Sequence, residues 1–523
     1  MRMRKFLKTN WLYLAGGVLV LILYFLRLYH LTILPVFADE AIYIRWAQIM
    51  KAEETLRFLP LSDGKQPLFM WVTIPVMKMF SDPLYAGRFV SVMSGFGTLV
   101  GVTFLSWLLF KSKKVALAAA FIYAVSPFTF FFDRLALVDS MLSMFGVWTF
   151  IFAYLAITRE RWDFAMLAGF ALGGAWLTKS SALFFALMIP VLWIFSSWKK
   201  GTKNIFSRTI KLIGLTLPII IIGYGMYNIL RLGPNFSQIA KRNLDYVWPL
   251  SRLLTSPLDP LKPFLDRSRE WLWMMGPFGL FVTWVLGYFL NYKKYWKELA
   301  ALSVWFLAPI IIQSEFAKVL TARYILFSIP YMIIIAASVF IKENKTWTKI
   351  LAVVIAFLIA QSLIFNQSLL NDPQKANLPR SERSGYLEEW TAGYGIREIA
   401  ESFKSDGKGG YPIANVKAGE KIVIGTEGFF GTLPDGLQMY LNNQPQVLVI
   451  GVGLDFDKLP QPLVDSKESG NKTYLVVNRS RFHKAPEDLG LTIISEYPKA
   501  VTPDGSRDAL LLMEVTNDKE TSK

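Results

Sequence analysis

The sequence contains no cysteine and only two histidines, His30 and His483. Disulfides, thiolate metal sites and cysteine nucleophiles are therefore excluded, and a metal centre built on histidine is not expected. Acidic residues are scarce beside basic ones, 39 against 56, which leaves a formal net charge of +17. Such an excess raises nucleic acid as a partner. The lysines and arginines, however, fall in short segments between apolar runs and form no aromatic-interleaved basic patch, so nucleic-acid binding is not expected. There is no internal repeat or low-complexity tract. What the chain has in abundance is apolar: 53% of its 523 residues are hydrophobic and 15% aromatic, with 40 Phe and 17 Trp. That composition exceeds what a soluble globular protein carries and implies a polytopic membrane protein.

Runs long enough to cross a bilayer, about 17 to 25 residues with shorter ones arguable, fall at about 11–29, 84–110, 115–132, 136–157, 163–178, 182–198, 210–230, 272–291, 298–313, 324–341 and 349–367. The count is about eleven. The first follows a basic MRMRK but is long and lacks a small-residue cleavage pattern, so it reads as an uncleaved span. If the N-terminus is cytoplasmic, the inside loops are KSKK, RER, KKGTKNIFSRTIK, KKYWK and KENKTWTK, all short and basic. The outside segments then include two long loops, 30–83 and 231–271, and everything after about 368. The loop 231–271 reads either as a partly structured lid or as a plain amphipathic loop.

Composition changes after the last span. A polar, Pro-containing linker at 368–385 precedes residues 386–523, where EEWTAGYGIREIAESF reads as a helix entered through a glycine turn. The runs KIVIGTE, QVLVIGVG, KTYLVVN, LTIISEY and ALLLMEV read as strands, implying a soluble extracytoplasmic α/β domain. GTEGFFG and GVG follow strands without completing the dinucleotide fingerprint, so nucleotide binding is not expected.

The stretch 37–71 organises the rest. It opens with Asp39 and Glu40 beside an apolar run, where a carboxylate pair is costly unless it has a partner or faces water. Ile42, Trp46 and Ile49 recur at helical spacing, predicting a short helix on the membrane surface with Asp39 at its start. Under the topology above, Asp39, Glu40, Lys65, Arg88, Asp133, Arg134, Asp139, Lys179 and Arg323 all fall at or near outer ends of spans. Each alone reads most simply as a snorkelling anchor. As a set they suit group transfer from a lipid-linked phosphate donor: a carboxylate takes the acceptor's proton, and fixed cations stabilise the departing phosphate.

ADEAIYIRWA, GKQPLFMW, AGRFVSVMSG, SPFTFFFDRLALVDSM, GGAWLTKSSAL and TARYILFSIP, in that order, resemble the polytopic glycosyltransferases of the GT-C superfamily. They are most similar to the branch containing protein O-mannosyltransferases and the lipid A aminoarabinose transferase, over about residues 11–340. The resemblance implies a GT-C-like helical domain over 1–367 and a glycosyltransferase using a polyprenyl-phosphate sugar. The acceptor is a hydroxyl of protein, glycan or lipid on the outer face. By match, Asp39 is the base accompanied by Glu40, Asp139 is the second acidic residue, and Lys65, Arg134, Lys179 and Arg323 contact the donor phosphate. Tyr43 and Tyr324 are the implied substrate contacts. Gln66 replaces the usual first proline of the Gly-Lys-Pro-Pro pattern. The loop 231–271 holds no histidine, where some relatives use one, so a metal site built there is not expected. No cofactor is called for, and a divalent cation is compatible with the pattern. The competing class is a transporter or flippase for a lipid-linked or anionic solute, but that predicts midplane charges and repeated halves.

Overall fold

The computed structural model describes residues 2–198, 202–341, 345–404 and 421–516. Parts of the predicted inside loops 199–211 and 342–349 lie outside the described residues. The chain divides into two compact units: residues 1–31, 56–72 and 88–379 form the first, and 32–55, 73–87 and 380–523 the second.

The first unit is helical. Among the described residues, seven helices are long and apolar enough to cross a membrane: Asn10–Leu28, Pro83–Phe110, Val138–Arg159, Asn204–Leu232, Trp296–Phe316, Ala322–Ile341 and Leu351–Asn371. Their burial separates a centre from a periphery. The apolar window of Ala322–Ile341 is 83% buried, whereas that of Asn10–Leu28 is 17% buried and presents its side chains outward. An eighth span exists if Leu261–Met274 and Phe278–Asn291 count together, but they meet at 104°. The continuous span expected at 272–291 is thus broken at Gly276-Pro277, where Pro277 has no N–H to continue the first helix. The runs at 115–132, 163–178 and 182–198 are helical but short. The first splits at Ser126-Pro127, the second is the 17-residue helix Trp162–Thr178, and the third alternates α and 3-10 turns around Pro190. The loop 231–271 contains the helices Gln238–Tyr246 and Arg252–Thr255 and most of Leu261–Met274.

The second unit is α/β. Strands β1 (Val36–Phe37) and β2 (Ala392–Gly393) pair antiparallel. β3 (Ile422–Glu427), β4 (Val447–Gly453), β5 (Lys472–Asn478), β6 (Leu491–Pro498) and β7 (Ala509–Val515) form one sheet in the order β4-β3-β5-β7-β6. β3 runs parallel to β4 and β5, while β7 runs antiparallel to β5 and β6. All five strands sit where the apolar runs predict. β3 is buried along its whole length, which explains why it reads as unbroken Ile-Val-Ile rather than as an alternation. EEWTAGYG is not helical throughout: residues 392–393 are β2, and the helix proper, Ile396–Ser402, starts after Gly395. Arg397 of that helix pairs with Asp82 at 2.9 Å, tying in the segment 73–87.

The helix forms where the spacing predicts it, over Ala38–Ala52, and Ala41, Ile42, Tyr43, Ile44, Trp46, Ala47 and Met50 are all buried against protein. It packs within the second unit beside Thr432–Leu441. Arg45 donates to Asn442 Oδ1 at 2.6 Å, and Gln48 donates to the Met439 carbonyl at 2.8 Å. Its apolar residues at helical spacing meet protein.

Candidate active site

The antiparallel pair Val138–Arg159 and Trp162–Thr178 builds the centre of the first unit's site. Glu160, in a left-handed conformation, ends the first helix, and the chain returns at once through Arg161. Glu160 pairs with Arg208 and Lys211 at that turn. The helices approach closely because Gly174 has no side chain: a Cβ there would lie 2.5 Å from the Phe145 ring. A tight turn at one end places residues 139 and 179 together at the other. Asp139 lies in the first turn of its helix, where the helix dipole favours a carboxylate, and Lys179 follows the last turn of its own, where it favours a cation.

Lys179 Nζ donates to Asp139 Oδ1 at 2.6 Å and lies 4.0 Å from the centroid of the Tyr324 ring. Arg323 lies 5.4 Å from the same ring, so Tyr324 has two cations around it. The Lys179 side chain is 23% exposed against 4% for Asp139. The carboxylate therefore fixes the ammonium from the protein side while a ligand can still reach it.

Lys65 follows the 3-10 turn Leu59–Asp63, which closes on Gly64 at φ 65°. Glycine is required there, since a Cβ would also lie 2.5 Å from that of Arg242. Lys65 Nζ lies 3.4 Å from Asp63, whose other oxygen is 3.5 Å from Arg242 Nε. Gln66 Nε2 donates to Ser180 Oγ at 2.7 Å, and Leu61 and Leu177 share a buried cluster. The Lys65 loop is thus tied to the turn that carries Lys179, through the residue that departs from the expected proline.

Two other predicted cations have different employment. Arg134 is fully buried and donates to the carbonyls of Arg27 at 3.0 Å, Tyr29 at 2.9 Å and His30 at 2.8 Å. It ties off the end of the first helix and does not reach an exposed site. Arg88 is also buried and donates to the Leu31 carbonyl at 2.9 Å. Asp133 accepts from Ser140 at 2.8 Å and Tyr123 at 3.2 Å and lies 3.5 Å from Arg27 Nε.

Arg27 is a residue that sequence reasoning passed over. It is fully buried and donates to the carbonyls of Ala124 at 2.8 Å and Tyr123 at 3.2 Å and to Thr129 Oγ1 at 3.1 Å. A lone arginine inside LILYFLRLYHL was the available signal. Glu315 was also missed: it is buried near the end of Trp296–Phe316, and neither carboxylate oxygen has a hydrogen-bond partner among the described residues.

Asp39, Glu40 and Tyr43 belong to the second unit. Asp39 and Glu40 occupy the first turn of Ala38–Ala52. Glu40 is buried, and its Oε2 accepts from the Phe37 amide at 3.0 Å, closing the helix N-terminus. That gives Glu40 a structural role. Asp39 beside it is only partly buried. Tyr43 is buried with its ring 6.1 Å from that of Trp46. Among the described residues no three His, Asp or Glu side chains are grouped to hold a metal ion.

Residues 60–229 match the family described as dolichyl-phosphate-mannose-protein mannosyltransferase. The undecaprenyl phosphate-alpha-4-amino-4-deoxy-L-arabinose arabinosyl transferase of Yersinia pestis is 26% identical over 194 residues, 34% of this chain and 33% of the relative. The match thus spans about a third of that relative's length. The crystal structure of ArnT from Cupriavidus metallidurans bound to undecaprenyl phosphate superposes with a TM-score of 0.56 at 13% identity, covering 96% of this chain and 98% of that one. Its apo state gives 0.52 at 13% identity, over 97% and 98%. The protein is a multi-pass membrane protein with the fold seen in the ArnT crystal structures, and the residues that the family model matches include Lys65, Asp139 and Lys179.

Proposed function

We propose that this protein transfers a sugar from a polyprenyl-phosphate donor to a hydroxyl acceptor. The acceptor oxygen attacks the anomeric carbon in line, its proton passes to Asp39, and the bond from that carbon to the phosphate oxygen breaks. The products are the glycoside, with inverted configuration, and polyprenyl phosphate. Lys179, Lys65 and Arg323 neutralise the charge that grows on the leaving phosphate. Asp139 holds the Lys179 ammonium in place, and Tyr324 presents the ring against which it rests. Tyr43 acts as a substrate contact through the Asp39 helix, and Arg134 acts as a scaffold for the first helix. In the membrane the chain crosses about eleven times, with its N-terminus cytoplasmic and residues after 368 outside.

The observation that carries this reading is the Lys179 ammonium, fixed at 2.6 Å from Asp139 and 4.0 Å from the Tyr324 ring while 23% of the side chain stays accessible. A cation already oriented pays little reorganisation when negative charge develops beside it. Similarity to the undecaprenyl phosphate-alpha-4-amino-4-deoxy-L-arabinose arabinosyl transferase and to ArnT bound to undecaprenyl phosphate supports the donor class.

The test is transfer of label from a panel of radiolabelled polyprenyl-phosphate sugars to membrane acceptors, wild type against Asp39→Asn. Label in protein, glycan or lipid that is lost in the variant supports the assignment. Undiminished transfer by Asp39→Asn removes Asp39 as base. Movement of lipid-linked sugar across the bilayer without any transfer replaces the reading with transport.

A further inference from the structure

We propose that the second unit carries a binding crevice for a neutral oligosaccharide at the C-terminal ends of β3 and β5. The inference rests on the transferase reading above and narrows its acceptor to a glycan. In the order β4-β3-β5, the chain leaves β3 for β4 on one side and then crosses to β5 on the other. The carboxyl ends of β3 and β5 flank the point where the connections diverge, and open parallel sheets bind ligands there.

The side chains at that point form a linked polar cluster. Glu427, the last residue of β3, accepts from Asn478 N at 2.9 Å and Asn478 Nδ2 at 2.7 Å. Arg481 Nε lies 3.5 Å from Glu427, and its guanidinium is 6.0 Å from the Trp390 ring. The two charges cancel, so an ionic ligand gains little. Three buried polar atoms at this end of the sheet have no hydrogen-bond partner among the described residues: Asn478 Oδ1, Thr432 Oγ1 and Arg481 Nε. Hydroxyl groups both donate and accept and can satisfy them, whereas a hydrocarbon chain would leave each at full desolvation cost.

Trp390 beside the cluster, and Phe429 and Phe430 in the loop that leaves β3, are aromatic rings that the fold leaves open. Phe429 is 76% exposed, Phe430 46% and Trp390 44%. Flat apolar surfaces beside a few fixed polar groups suit a sugar ring, which has C–H faces and a hydroxyl rim. Phosphate is disfavoured at the same loop. Asp435 Oδ2 accepts from the Gly431 amide at 2.8 Å, so a carboxylate already occupies the start of the helix Thr432–Leu441. The crevice also connects to the proposed base: the Phe430 ring lies 5.7 Å from Trp46, on the helix that bears Asp39.

The test uses the full chain in lipid nanodiscs and saturation-transfer NMR with cellotriose, α-1,6-mannotriose and N-acetylchitotriose. At least one should bind, Phe429→Ala should weaken it about fivefold to tenfold, and Phe429→Tyr should restore it. Phe429 is exposed enough that its truncation does not threaten the fold. The absence of cysteine allows single-site labelling through Phe429→Cys. Protection of a fluorophore at 429 by the oligosaccharide supports the crevice, and its quenching by brominated nanodisc lipids assigns the loop to the membrane and overturns the proposal. Failure of all three sugars, or equal binding by Phe429→Ala, also overturns it. Phe429-dependent binding in a protein that transfers no sugar would keep the crevice and remove the transferase reading. Transfer without such binding would do the reverse.

Discussion

Two carboxylates six residues apart, Asp133 and Asp139, occupy one short segment of the first unit and have opposite fates. Asp133 is fully buried, and its partners Arg27, Ser140 and Tyr123 are also buried. Asp139 is nearly as buried, but its partner Lys179 reaches the surface. A buried ion pair enclosed on all sides holds helices in register. A pair with one accessible member can hold a ligand. Burial of the carboxylate therefore does not distinguish scaffold from site, whereas exposure of its partner does.

The largest effect should come from breaking the closed pair. Arg27→Met leaves Asp133 buried and uncompensated, and should cost about 3–5 kcal/mol, enough to lower the yield of folded protein sharply in thermal unfolding of detergent-solubilised samples. The open pair should respond in activity. Lys179→Gln should reduce label transfer by about 100-fold or more, and because the Gln amide can still donate to the nearly buried Asp139, its melting temperature should fall less than that of Arg27→Met.

A third pair extends the comparison to the second unit. Lys499 is buried, donates to the Glu389 carbonyl at 2.8 Å and lies 3.8 Å from Asp508. Burial pulls its ammonium down to about 8, against the partial compensation of Asp508. The folded form therefore gives up its proton before the unfolded chain does. Stability of the second unit should rise with pH from about 8 to the ordinary lysine value near 10.4, and Lys499→Met should flatten that rise. Denaturant unfolding across that window checks it. The smallest expected change is Gln66→Pro, which removes the donation to Ser180 at a cost of about 1 kcal/mol. A few-fold rise in donor KM, with little loss of kcat, would confirm that Gln66 steadies the Lys65 loop.

Much of this was legible in the sequence. The motifs bearing Asp139, Lys179 and Tyr324 were identified, and the structure brings those three residues together. The five strands were readable because buried parallel and central strands leave unbroken apolar runs. The division between Asp133 and Asp139 was not readable, because it depends on Arg27, a single charge inside an apolar run more than 100 residues earlier. The packing of the helix Ala38–Ala52 on Thr432–Leu441 was not readable, because the two segments lie nearly 400 residues apart in sequence. The break at Pro277 had a local signal, Gly-Pro, that the length of the apolar run outweighed. Arg134 was read as a phosphate ligand because sequence shows a charge but not the carbonyls that occupy it.

The most direct test compares Asp133→Asn and Asp139→Asn for label transferred per folded molecule. Asp139→Asn should fold and lose about tenfold or more of its transfer, because the Lys179 ammonium is no longer held. Asp133→Asn should lose folded protein, with transfer by the surviving fraction close to wild type. Full transfer by folded Asp139→Asn would contradict the account.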